Sequence, residues 1–222
     1  MKKIFKTYYL AIISCLAVLS ASAKDGVAVV IDAVSYEKAR TELDDYVHAL
    51  EKKQNYKVYI VVDKWQVPDS IRTRLISLHE KKRDAIVGAV LIGDIPIPMV
   101  RDAQHLTSAF KMDQNRDRRE SSVPSDRFYD DFGLKFKPLG KDAELPYWYY
   151  SLSADGRQRV CPNIFSGRIR PTDAGGVSRY DKLRAYLRKA TATKTQPEKM
   201  SSVFVFTGDG SISESKPAHI DE

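Results

Sequence analysis

Carboxylate side chains are the residues whose type and spacing most clearly suggest chemistry. Asp126, Asp130 and Asp131 lie close together in the segment VPSDRFYDDF, and Asp94 ends the segment LIGD. Carboxylate oxygens are the hard ligands that calcium prefers, so a structural calcium site at Asp126, Asp130 and Asp131 is one hypothesis, although their spacing matches no EF-hand loop. A hydrolase metal held by Asp94, Asp126 and Asp130 is another, but the lack of a neighbouring histidine argues against it. No other cofactor is predicted.

Asp94 has two interpretations. At the carboxyl end of a parallel strand it would lie at the edge where open α/β sheets bind ligands. Alternatively, its carboxylate caps the turn over residues 95–99 by accepting backbone N–H groups. We favour this structural role for Asp94. For Arg168 we predict a buried or half-buried ion pair with Asp94 or Asp126, which would fix the junction between a strand and a helix.

Nucleophilic catalysis by cysteine needs a histidine that activates the thiol. No histidine of this sequence precedes a glycine or follows a strand-like apolar segment (His48, His79, His105 and His219). Cys161 precedes Pro162 and is not at the end of a strand-like segment. We therefore predict no catalytic pair in this sequence and a structural role for Cys161.

The first 23 residues have the pattern of an export signal. Basic residues come first, an apolar segment follows, and Ala21-Ser22-Ala23 matches a cleavage site. The apolar segment is too short to span a bilayer, so we predict export to the periplasm, cell surface or medium without a transmembrane anchor. Cys15 is a poor match to a lipoprotein site, and Cys161 alone would remain, so no intramolecular disulfide is expected. The formal net charge is +7, but the basic residues are mixed with acidic ones along the chain, which argues against a nucleic-acid partner.

Apolar segments that alternate with amphipathic ones must position these side chains. Segments 26–33, 56–62 and 85–94 are predicted strands. A helix capped by Ser35 is predicted after the first, and a helix opened by Pro68 after the second. This alternation predicts an α/β fold in which a parallel sheet is covered by helices on both faces, in three layers.

The rest of the chain is less regular. Residues 101–160 are predicted to be loops with a hairpin around 154–156. A strand over 163–169 is expected to lead into a helix capped by Thr172, with Val177, Tyr180, Leu183 and Leu187 at helical spacing. A polar linker over 191–200 then precedes a strand and a glycine-rich turn over 201–211, which lacks the pattern of a nucleotide-binding loop.

Four motifs follow one another between residues 91 and 211. They are LIGD (91–94), VPSDRFYDDF (123–132), PNIFSGRIRPTDAGGVSRYDKLRAYL (162–187) and VFVFTGDGS (203–211). Together with the export signal, this series resembles the gingipain-type cysteine peptidases of the caspase–haemoglobinase fold. The resemblance covers most of residues 85–211.

The resemblance implies a caspase-like N-terminal subdomain over 24–190, followed after the linker by the first strand of an incomplete catalytic subdomain over 201–222. The catalytic histidine and cysteine of the family would lie in that second subdomain, so the chain alone would be an inactive fragment. The loop after the last strand would begin the specificity pocket for a protein or peptide substrate, and its acids would face a basic side chain (Asp209, Glu214 and Asp221). The alternative is a secreted, non-catalytic α/β binding module whose surface is the aromatic segment PYWYY (146–150).

Overall fold

The computed structural model describes residues 23–106 and 110–195. The predicted strand at 201–211 lies outside the described residues, as does the predicted export signal apart from Ala23. Along the chain the elements are β1 (Gly26–Asp32), α1 (Ala33–Lys38), α2 (Arg40–Lys53), β2 (Lys57–Asp63), α3 (Pro68–His79), β3 (Ile86–Ile92), β4 (Ile97–Arg101), α4 (Arg118–Ser121), β5 (Val123–Pro124), α5 (Arg127–Asp130), β6 (Phe136–Lys141), β7 (Tyr147–Leu152), β8 (Phe165–Ile169) and α6 (Arg179–Thr195).

A four-stranded sheet forms the centre of the fold. Its strands lie in the order β2-β1-β3-β8, and every neighbouring pair is parallel. Val29 of the central strand β1 lies between Ile60 of β2 and Val90 of β3. Parallel neighbours need crossover connections, and those from β1 to β2 and from β2 to β3 pass through α2 and α3. Helix α6 follows β8 and packs on the same face as α2. The prediction of an α/β fold with a parallel sheet is therefore confirmed.

Both faces of the two central strands, β1 and β3, are largely buried, which explains why these strands are continuous apolar segments. Ala28 and Val30 of β1 belong to the core that contains Ile71 and Leu75 of α3. On the other face, Val29 and Ile31 pack in a core with α2 and α6. The sheet is thus the middle of three layers, and its two helical layers are what the sequence pattern predicted.

The helical region after β1 differs from the single helix that was predicted. Asp32, not Ser35, is the N-cap, because its carboxylate accepts the N–H groups of Val34 at 3.0 Å and Ser35 at 2.9 Å. The helix then breaks at Ala39, where φ is −128° and ψ is 26°, and α2 starts at Arg40. Ser35 is buried inside the first turn instead of preceding it.

Helix α3 agrees with its prediction. Pro68 occupies the start, where its missing N–H costs no intrahelical bond. Ile71, Leu75 and Leu78 are buried at helical spacing against the parallel sheet. The spacing of apolar residues was sufficient to predict this helix, because the helix is long, regular and amphipathic.

The prediction of loops for residues 101–160 is wrong. A second sheet is formed by strands between Ile97 and Leu152, in the order β5-β4-β7-β6, with β4 and β7 parallel and the outer pairs antiparallel. Pro98 interrupts the sequence of β4, and Pro138 that of β6. Proline cannot donate a hydrogen bond between strands, so a segment that contains it has the composition of a loop. Both segments are nevertheless strands, because each pairs with β7.

The hairpin of this sheet is not at 154–156, as predicted, but joins β6 to β7 through residues 142–146. Asp142 holds this turn, since its carboxylate accepts the N–H groups of Glu144 at 2.9 Å and Leu145 at 3.1 Å. The Arg119 guanidinium donates two further bonds to it, at 2.9 and 2.8 Å. The backbone N–H of Glu144 is the main reason that the pKa of Asp142 lies well below its usual value.

Helix α6 starts later than predicted and continues further. Gly175 and Gly176 have φ values of +71° and +70°, so a right-handed helix cannot run from Thr172 through them. The helix begins at Arg179, and Val177 is exposed outside it, whereas Leu183 and Leu187 are buried as predicted. Its last described residue is Thr195, inside the segment predicted as a linker.

Among residues 23–106 and 110–195, no helix is long and apolar enough to cross a membrane.

Candidate functional site

The turn after β3 lies at the carboxyl edge of the parallel sheet, where open α/β sheets bind ligands. Gly93 has a φ of +80°, and a Cβ atom there would lie 2.0 Å from Oδ2 of Asp32 and 2.3 Å from Oγ of Ser35. The position therefore needs glycine both for its backbone conformation and for the close approach of Asp32. The conspicuous Gly-Asp step of the sequence is explained by its neighbour on β1.

Asp32, and not Asp94, is the carboxylate that accepts backbone N–H groups at this edge, and its donors are not those of the turn over 95–99. Besides capping α1, its carboxylate accepts the N–H of Asp94 at 2.8 Å, so one buried side chain joins the ends of β1 and β3. Asp32 is 7% exposed, and all three donors are backbone amides. The ends of β1 and β3 are therefore bridged by the protein's own carboxylate.

The Asp94 carboxylate points to a different set of partners from those predicted. It lies 2.9 Å from Nη1 of Arg179 at the start of α6 and 3.9 Å from Nε of Arg170 after β8. Its side chain is 45% exposed. The prediction that Asp94 caps residues 95–99 or pairs with Arg168 is therefore wrong in its contacts: Asp94 forms an ion pair at the rim of the sheet.

Arg168 on β8 is the centre of the second cluster at this edge. Its guanidinium binds the Asp126 carboxylate in a bidentate manner, at 3.0 and 2.7 Å, and donates to the carbonyl of Ile95 at 2.9 Å. Tyr129 donates to the neighbouring carbonyl of Pro96 at 2.8 Å, and burial raises the pKa of its hydroxyl. The predicted half-buried pair of Arg168 is confirmed, with Asp126 as its partner.

The other two aspartates of the calcium hypothesis have separate protein partners. Asp130 is fully buried and binds Ser166 at 2.6 Å and Arg127 at 2.8 Å. Burial raises the pKa of its carboxyl, and its Oδ1 atom has no hydrogen-bond partner.

Asp131 accepts the Cys161 N–H at 2.6 Å and the Gly133 N–H at 3.2 Å. Within residues 23–106 and 110–195, no group of three or more His, Cys, Asp or Glu side chains is arranged to hold a metal ion. Neither metal hypothesis gains support from these residues.

Among the described residues, no hydrogen bond joins the Cys161 thiol to a histidine. Nδ1 of His79 lies 2.9 Å from the Ile86 carbonyl, and Nε2 of His105 lies 3.0 Å from Oε1 of Gln158. His48 lies on α2, and the Cys161 side chain is exposed and unbridged. His219 and the candidate substrate-binding acids lie outside the described residues (Asp209, Glu214 and Asp221).

A cleft of about 660 Å³ opens beside the Asp94 turn, at the ends of β2, β3 and β8. Both tryptophans of the protein line it, one after β2 and one on β7. Lys141, Asp94 and Arg170 provide charged groups at its walls. The predicted aromatic surface PYWYY contributes Pro146 and Trp148 to this cleft, whereas Tyr149 and Tyr150 are buried in the core.

Asp32, Arg72 and Asp142 are the important polar residues that sequence reasoning missed. Asp32 carries a usable signal, because an aspartate between a strand and a helix is a typical N-cap. The partners of Arg72 are the backbone carbonyls of Phe128, Asp131 and Leu134. Those of Asp142 include Arg119 and Tyr149. Contacts so distant in sequence leave no local pattern.

We compared the chain with protein-family models, curated proteins and solved structures, and none of the three comparisons found a match.

Proposed function

We propose that this chain provides the first, non-catalytic subdomain of an exported gingipain-type cysteine peptidase with a caspase-like fold. In this role the subdomain is a scaffold on which a catalytic subdomain, which supplies the histidine and cysteine, would pack. The substrate of the complete enzyme would be a protein or peptide.

The observation that carries this proposal is the convergence of the motifs on which the resemblance rests. Arg168 of the Gly-Arg-Ile motif binds Asp126 of the Ser-Asp-x-x-Tyr motif, 42 positions away, and the carbonyl of Ile95, 73 positions away. Tyr129 of the same motif donates to the carbonyl of Pro96, just after the Gly-Asp step. Segments far apart in sequence thus form one structural unit, as expected when a set of motifs describes a single fold.

The architecture supports the same assignment. A four-stranded parallel sheet between helical layers is compatible with a caspase-like subdomain. Peptide hydrolysis by cysteine needs a thiolate, a histidine and oxyanion donors in one place. The part of the chain that the structure describes has no such arrangement around Cys161, so the proposal assigns catalysis to the second subdomain.

The test has two parts. First, purified chain from Lys24 to Glu222 is assayed on arginyl and lysyl peptide amides, and we expect no thiol-dependent hydrolysis. Second, the gene is sequenced beyond codon 222 in all frames. We expect an apolar strand followed by His-Gly and a later strand that ends in cysteine.

The chain joined to that downstream segment should then cleave the amides, and replacement of the downstream cysteine by serine should abolish cleavage. Two results would contradict the proposal. One is a downstream region that encodes no such segment in any frame. The other is hydrolysis by the chain alone that is lost in Cys161→Ser.

A further inference from the structure

The cleft beside the Asp94 turn has the size and position of a binding site. Its volume of about 660 Å³ lies within the range of roughly 300–1,000 Å³ that is typical of small-ligand sites. Residues that follow β2 and β3 line one side, and Lys141, Pro146 and Trp148 of the second sheet line the other. The cleft therefore lies between the two sheets, at the carboxyl edge of the parallel one.

Two indole rings are the main aromatic surfaces of this cleft. The N–H of Trp65 donates to the Ile31 carbonyl at 3.0 Å, and the N–H of Trp148 donates to the Gln66 carbonyl at 3.0 Å. Both donors are engaged, so these rings offer a ligand their apolar surfaces and not a hydrogen bond. The same bonds fix the two rings in place before any ligand arrives.

The charged groups of the cleft are predominantly basic. Lys141 and Arg170 are exposed at its wall. The single carboxylate, Asp94, already forms an ion pair with Arg179 at 2.9 Å, and Arg170 lies a looser 3.9 Å from it. Aromatic rings, together with basic side chains whose charges are not fully paired, favour a ligand that has an apolar ring face and an anionic substituent.

We propose that the cleft binds an acidic oligosaccharide. The C–H faces of the sugar rings would pack on Trp65 and Trp148, and a ring carboxylate or sulfate would bind between Lys141 and Arg170. This site is independent of the proposed peptidase role, because it uses neither a nucleophile nor a second subdomain.

Tryptophan fluorescence measures binding directly, because both tryptophans of the chain line the cleft. Purified chain is titrated with an oligogalacturonide tetramer, with a heparin-derived tetrasaccharide, with neutral cellotetraose and with oligoglutamate of similar charge. We expect saturable quenching by at least one of the acidic sugars, weakened by added salt, and at least tenfold weaker binding of cellotetraose.

Variants at the basic wall separate the cleft from general attraction to a basic protein. Arg170→Gln and Lys141→Gln should each weaken binding of the acidic sugar about tenfold or more. Lys137→Gln is the matched control, since Lys137 is exposed on the same strand as Lys141 but does not line the cleft. Circular dichroism establishes that each variant is folded.

Three outcomes would overturn the proposal. They are no fluorescence response to either acidic sugar, a response to oligoglutamate as strong as that to the sugars, and an equal loss of affinity in Lys137→Gln. The second of these would identify a general anion site that does not use the sugar ring. A response to only one of the two acidic sugars supports the proposal and identifies the anionic group.

Discussion

At the scale of single residues, two aspartates at neighbouring strand ends show how a carboxylate acquires a structural role. Asp94 is conspicuous in the sequence because a glycine precedes it and two prolines follow within the next four residues. Asp32 lacks such neighbours, yet it accepts three backbone N–H groups in a buried position. Buried amides need an acceptor, so a carboxylate that accepts several of them contributes more to stability than one that accepts none.

We predict that Asp32→Ala destabilises the protein much more than Asp94→Asn does. The first change removes the N-cap of α1 and leaves the partly buried N–H of Asp94 without its acceptor, which should cost about 2 kcal/mol. The second affects an ion pair of a half-exposed side chain, which should cost about 1 kcal/mol or less. Urea denaturation followed by circular dichroism measures both changes.

Asp32→Asn is a further control, because its amide has the same shape as the carboxylate and keeps one acceptor oxygen. Its loss in free energy of unfolding should lie between those of Asp94→Asn and Asp32→Ala. An Asp94→Asn variant that loses as much stability as Asp32→Ala would show that the Asp94 carboxylate, and not Asp32, holds this edge together. Addition of calcium should leave all of these transitions unchanged if the carboxylates are purely structural.

At the scale of elements, periodic patterns predicted the parallel sheet and failed for the second one. β1, β3 and α3 were found because burial on two faces or on one helical face produces a continuous or a 3.6-residue apolar pattern in the sequence. β4 and β6 contain Pro98 and Pro138, and each is held by pairing with β7, a partner distant in sequence from β4. Such pairing is a tertiary property that local composition does not record.

The candidate site shows the same division. The pair of Arg168 could be predicted because an arginine inside an apolar strand needs an anionic partner. The choice between Asp94 and Asp126 could not be made from sequence, because it depends on where α5 places Asp126 relative to the sheet. The cleft was also not predicted, since it forms between two sheets of which one was unknown.

The Arg168–Asp126 pair should be the strongest ion pair that couples separate elements at this edge. A double-mutant cycle with Arg168→Met and Asp126→Asn should give a coupling energy of about 1–3 kcal/mol, because both side chains are partly shielded and the pair is bidentate. Urea denaturation of the wild type, both single variants and the double variant measures it.

The pair of Arg188 on α6 and Glu42 on α2, with nitrogen and oxygen 2.7 Å apart, is the matched control, because its arginine is 61% exposed. Its coupling energy should be about 0.5 kcal/mol or less, because Arg188 is largely solvated and the pair is screened. Equal coupling energies in the two cycles would mean that the Arg168 pair does not contribute to the junction between β8 and α5.

At the scale of the whole molecule, Arg72 connects the parallel sheet to the second one. It lies on α3, whose apolar face packs on the parallel sheet, and it reaches the segment that leads from α5 to β6. Its guanidinium donates to the carbonyls of Phe128, Asp131 and Leu134. It also lies over the rings of Phe128 and Phe136, at 5.3 and 5.4 Å from their centroids.

Arg72 has no carboxylate bound directly to its guanidinium among the contacts of the described residues. Burial lowers its pKa, and the nearby charges of Asp131, Asp69 and Asp130 act in the opposite direction. Arginine nevertheless remains protonated in proteins, so a full positive charge is held mainly by backbone carbonyls and aromatic rings. Such a group is costly to bury and is costly to remove, because its acceptors would then be unpaired.

We predict that Arg72→Leu destabilises the protein by about 3 kcal/mol or more, and that Arg72→Lys recovers only part of this loss because a single ammonium cannot match three carbonyl positions. Arg74→Leu is the control: Arg74 is exposed on the same helix, and its loss should change the free energy of unfolding by about 0.5 kcal/mol or less.

Hydrogen exchange then shows which part of the protein is destabilised. In Arg72→Leu, amides of β6 and β7 should exchange faster than in the wild type. Amides of β1 and β3 should keep more of their protection, because the parallel sheet retains its own two helical layers. Uniform loss of protection in both sheets would contradict a connecting role and would make Arg72 a residue of one common core.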